Sequence, residues 1–70
     1  MTLAPQDFNR MEYLLGKAKV EGLIPNEESE LRNLVVQENP SANNKALGDL
    51  ITLGLIIVGI YLLAKAFEKK

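Results

Sequence analysis

Glu27, Glu28 and Glu30 are the densest set of carboxylates in this 70-residue chain. Carboxylates that close could hold a hard cation or move a proton. A selective cation site needs oxygen ligands converging in three dimensions. Carboxylates in one helical turn share a single strip of surface, and at a helix start they meet the positive end of the dipole. The set therefore reads as a helix-starting, solubilising group. Other chemistry has no material: the chain contains no histidine and no cysteine. General acid–base work near neutral pH lacks its commonest group, and a nucleophilic triad lacks both thiol and imidazole. Gly16 and Gly22 are isolated, so no phosphate loop is present. Arg10, Lys17 and Lys19 are too few, and too mixed with acids, for a nucleic-acid footprint. No enzyme, cofactor, metal or small-molecule substrate is expected.

The informative feature is an imbalance. Arg10, Lys17, Lys19, Arg32 and Lys45 face Asp7, Glu12, Glu21, Glu27, Glu28, Glu30, Glu38 and Asp49, a net of −3 for residues 1–49. Lys65, Lys69 and Lys70 against Glu68 leave +2 for the remainder. Between Leu50 and Ala64 no charge occurs. The N-terminus, MTLAPQDFNR, has no basic start followed by an apolar run, so no cleavable signal peptide is expected.

Leu50 to Phe67 would make about 27 Å of helix, close to the roughly 30 Å hydrocarbon thickness. Ten strong hydrophobes, Leu50 through Leu63, contribute about −3 to −6 kcal/mol toward insertion. Lys65 lies near the end and can snorkel, with Tyr61 one turn earlier at the same depth. Tyr61, Lys65, Lys69 and Lys70 are the expected interfacial anchors. A helix apolar on all sides needs neighbours on all sides, and two short helices cannot surround it. The competing soluble reading requires an oligomer with this segment as its core. The lysines after the span favour a cytoplasmic C-terminus, with a tail anchor of opposite orientation as the alternative.

Within the span, Thr52, Gly59 and Ala66 recur every seven residues, and Gly48 extends the stripe. Small residues let membrane helices approach closely, so these four are the expected helix-packing face. Gly54 and Gly59 are five apart and form no GxxxG motif.

The N-terminal part reads as two amphipathic helices. The first, about 5–21, starts at Pro5 and turns Phe8, Met11, Leu15 and Ala18 to one side, with Leu14 widening the face. Gly16 inside it costs up to about 1 kcal/mol and is expected to mark a close approach. Gly22 stops the helix, with Leu23 as its apolar contact. The second, about 26–38, opens at Pro25 or Asn26, carries Leu31, Leu34 and Val35, and ends before Pro40. The stretch EGLIPNEESEL, Glu21 to Leu31, resembles the short two-helix oligomerisation segments of bacterial proteins in which a glycine and an "IT.EE" pattern separate the helices. Pro25 stands where that family has threonine, and the downstream aromatic and lysine pattern differs. The resemblance implies self-association and nothing catalytic.

The expected architecture is therefore all-α. A helical hairpin (1–39) is followed by a polar hinge (40–48), one transmembrane helix (49–67) and a basic tail (68–70). The expected partners are a lipid bilayer and either a larger membrane protein or copies of this chain. The expected role is a non-catalytic accessory or structural subunit, with a self-assembling channel-like or holin-like oligomer as the alternative.

Overall fold

The computed structural model describes residues 3–68. Among these the chain is all-α: α1 (Pro5–Val20), α2 (Pro25–Glu38), a 3₁₀ turn (Pro40–Asn44) and α3 (Leu47–Glu68). Each of the three prolines opens a helical element. The preceding residues explain why. Ala4 and Ile24 are extended, at ψ 157° and 161°, because proline pushes its neighbour out of the α region. The proline ring then starts the helix where its missing N–H leaves no bond unmade.

The turn between α1 and α2 rests on Gly22. Its φ of +85° is the left-handed conformation in which a Cβ is strained. Its N–H donates to the Lys17 carbonyl at 3.0 Å, beside the Glu21 N–H at 2.8 Å. The chain reverses there, and α2 returns antiparallel to α1 as the hairpin predicted from sequence.

The core lies where three helices meet. Phe8, Met11, Leu14 and Leu15 of α1 pack with Leu31, Leu34 and Val35 of α2 and with Leu50 and Val58 of α3. Leu14, predicted only to widen the face, is fully buried, whereas Ala18 is half-buried. The expected close approach at Gly16 is absent: nothing lies within 4 Å of a Cβ built there. Gly16 instead lines a shallow open groove with Tyr13 and Val20 on the outer side of α1.

The segment expected as a polar hinge is more ordered than its composition implies. Ala42 is fully buried. The Arg32 guanidinium donates to the carbonyls of Asn43 at 3.2 Å and Lys45 at 2.7 Å. These bonds tie the 3₁₀ turn to α2 and leave Lys45 and Ala46 as the link to α3. The long helix begins at Leu47 and runs to Glu68, slightly beyond both expected ends.

Candidate functional site

Helix α3 is long and apolar enough to cross a membrane, with a mean hydropathy of 2.3 over its most apolar stretch. Only 17% of that stretch is buried inside the chain's own fold. The helix therefore has two sides with different neighbours.

One side meets the hairpin. Leu50, Gly54 and Val58 are buried, and Leu47, Ile51, Leu53, Ile57 and Tyr61 pack at their edges. Spacings of four, four and three keep one helical face pointing at α1 and α2. Gly54 is a point of close approach. A Cβ built on it would stand 2.9 Å from Leu15 Cδ2 and 3.3 Å from Cδ1. The isobutyl group of Leu15 thus fills the notch left by the missing side chain. Further along, the Phe8 and Tyr61 rings stack with centroids 4.0 Å apart and planes 7° from parallel. The Lys65 ammonium lies 5.5 Å from the Tyr61 ring centre. Tyr61, expected as an interfacial anchor, is here engaged by the hairpin.

The other side faces away from the fold. Leu55, Ile56, Ile60, Leu62, Leu63 and Phe67 are exposed, several of them by half or more. Gly48, Thr52, Gly59 and Ala66 are exposed on this side too. The small-residue stripe is thus directed away from α1 and α2, and the Thr52 hydroxyl is returned to the Gly48 carbonyl at 3.2 Å. At 100° per residue, this stripe lies about 140° around the helix from the Leu50–Gly54–Val58 line. Of the expected anchors, Lys65 is exposed, and Lys69 and Lys70 lie outside the described residues.

The hairpin is braced by the carboxylates from which the sequence argument starts. Glu27 accepts both bonds of the Lys17 ammonium, at 2.9 and 2.7 Å, and one from the Ile24 N–H at 3.2 Å. Glu30 takes a two-pronged contact from Arg10, at 2.6 and 2.9 Å. Two members of the acidic triplet are thus cross-ties between α1 and α2. Among the described residues no group of three histidine, cysteine, aspartate or glutamate side chains converges as a metal site.

These ties carry a pH dependence. The Lys17 hydrogen bond, then that from Ile24, holds the Glu27 carboxyl below the usual carboxylate range, and Arg10 does the same for Glu30. A lowered folded pKa gives stability that is complete above the unfolded value, near 4.3, and is lost as pH falls through the folded value. The Lys17 ammonium is shifted up by Glu27. Its contribution is present below about 10.4 and disappears as pH rises through the folded value. Amide-exchange protection of α1 and α2 is therefore expected to hold between these limits and to fall in acid. A Glu27→Gln, Glu30→Gln double variant should show a flatter acid limb; an unchanged limb would contradict the assignment.

Gly54 was not expected as a contact with the hairpin, because the small residues of the span were weighed only for contacts between membrane helices. No sequence signal marks it: Gly54 and Gly59 stand alike in an apolar helix, and only the packing of Leu15 against Gly54 separates them. Compared with protein-family models, curated proteins and solved structures, the chain matches none of them.

Proposed function

We propose that this chain is a small single-pass membrane protein, acting as a non-catalytic accessory or structural subunit of a larger membrane assembly. That assembly is a cellular complex or a membrane-containing virion. α3 is the anchor, and the hairpin is the part that meets the soluble surface of a partner. The C-terminus lies on the cytoplasmic side, with the lysines that follow the span holding it there.

One observation carries this reading. The outer side of α3 presents Leu55, Ile56, Ile60, Leu62, Leu63 and Phe67 to the surroundings in one continuous array. A soluble monomer seldom leaves a contiguous apolar patch of this kind open to water, and a bilayer is the solvent that suits it. A second reading, a self-assembling channel-like or holin-like oligomer, is favoured by the exposure of Gly48, Thr52, Gly59 and Ala66 on that same side.

Extraction from the native membrane in a mild detergent, followed by mass determination of the protein part of the particle, separates the two. Stoichiometric larger subunits are the expected result. A defined particle made of this chain alone would replace the accessory reading with the oligomeric one.

A further inference from the structure

The packed and inserted forms of α3 exclude one another. The hairpin covers α3 from Leu47 to Tyr61, which is most of the length that must lie in hydrocarbon. Its outer surface carries Glu12, Lys19 and Glu21, all exposed to solvent. A hairpin still seated on α3 would draw these charges to membrane depth, where ionisable groups are tolerated only when paired or facing a polar interior.

We propose that the hairpin is a detachable sheath, which covers one side of α3 in water and is released when the helix enters a bilayer. The inference rests on the membrane reading above and adds a conformational step to it. Three features of the fold suit that step. The contacts between sheath and helix described above are apolar: the Leu15–Gly54 notch, the Phe8–Tyr61 stack, and the packing of Leu50 and Val58. Lipid tails replace such contacts without leaving a polar group unpaired. The ties that hold the hairpin together, Arg10–Glu30 and Lys17–Glu27, do not involve α3 and survive its departure. The pivot is also defined. Arg32 holds the chain to α2 as far as the Lys45 carbonyl, and the Lys45 N–H donates to the Ala42 carbonyl, so the swing takes place at Ala46, immediately before Leu47.

The notch supplies the test. Leu15 Cγ lies 3.5 Å from a Cβ on residue 54, close to where a disulfide would place a sulfur. The chain has no cysteine of its own, so a Leu15→Cys, Gly54→Cys pair forms one unambiguous bridge. The full-length double variant is oxidised, mixed with phosphatidylcholine vesicles, and assayed for carbonate-resistant incorporation before and after reduction. The single variants, treated with the same oxidant, control for the substitutions themselves, and circular dichroism verifies that the locked form is helical. The expected result is loss of incorporation in the locked form and its recovery when the same sample is reduced. Equal incorporation of locked and reduced protein overturns the sheath while leaving the membrane reading intact. Failure of the reduced pair, the single variants and the unmodified chain alike to incorporate overturns the membrane reading, and the sheath with it.

Discussion

Ile56→Arg is expected to remove the chain from the membrane while leaving the three-helix fold in place. Ile56 is 53% exposed and lies on the side of α3 away from the hairpin. In the packed form an arginine there points into water, and a surface change of this type usually alters stability by less than about 0.5 kcal/mol. In the inserted form the same residue sits well inside the bilayer. Arginine at a helix centre costs about 2.5 to 3.5 kcal/mol, and the lost isoleucine forfeits a further ~0.5. Against a total insertion gain of about 3 to 6 kcal/mol from the strong hydrophobes, this removes half or more of the driving force. Since each 1.4 kcal/mol is a factor of ten, the membrane-bound to free ratio should fall by two orders of magnitude or more. Flotation with vesicles measures the ratio, and circular dichroism of the unbound protein measures the fold. An unchanged ratio would contradict a transmembrane α3.

Gly54→Leu is expected to do the reverse. A single Cβ at this position meets the far end of Leu15, and a shift of a few tenths of an ångström in that flexible end relieves the contact, while alanine also recovers up to about 1 kcal/mol of helix propensity. Gly54→Ala should therefore be nearly neutral. Leucine adds three more carbons in the volume that Leu15 occupies, and neither side chain has space to retreat in a core already filled by Met11, Leu31 and Leu50. Overpacking of this kind costs about 1 to 3 kcal/mol. For a domain of this size each kcal/mol lowers the melting temperature by about 4 to 8 °C. Gly54→Leu should thus melt the packed form between roughly 4 and 24 °C earlier. Its incorporation into vesicles should be retained or raised, because leucine is a better membrane residue than glycine. The contrast with Ile56→Arg matters more than either value. One substitution acts on the bilayer side of α3 and the other on the hairpin side, and their effects on melting and incorporation should not covary. Melting that falls equally with leucine and alanine would contradict the notch.

The two variants also mark what could be read from the residues alone. Helix starts were legible at Pro5 and Pro25, because proline fixes the local backbone; Pro40 was read only as the end of the second helix, and it opens a 3₁₀ turn as well. The stop at Gly22 was legible for a similar reason, since only glycine adopts its φ of +85° without strain. The hairpin's inner face was expected from the spacing of Phe8, Met11, Leu15, Ala18, Leu31, Leu34 and Val35; all of these are buried except Ala18, which is half-buried. None of these features depends on distant contacts.

Tertiary registers were not legible. The pairing of Arg10 with Glu30 depends on how far α2 slides along α1, and an acidic triplet at a helix start says nothing of which base will face it. The side of α3 that meets the hairpin was also hidden. An amphipathic helix announces its inner face, but α3 is apolar all around, so its sequence does not distinguish Gly54 from Gly59. Structure separates them: Gly54 meets Leu15, and a Cβ on Gly59 would meet nothing within 4 Å. The order in residues 40–44 was masked by a polar composition, because it comes from one buried alanine and a guanidinium on another helix.

The central claim is that α3 crosses a bilayer, with its two ends on opposite sides. The absence of native cysteine allows a direct test. Single cysteines are placed at Ala46, Ile56 and Glu68 in the full chain, and intact sealed membranes are treated with a membrane-impermeant maleimide, before and after permeabilisation. The account predicts that Ala46→Cys and Glu68→Cys react from opposite faces, one before permeabilisation and the other only after it, and that Ile56→Cys stays unreactive in both. Labelling of all three from the same face would mean that α3 lies along the surface or remains within the packed fold, and the membrane-spanning account would be wrong.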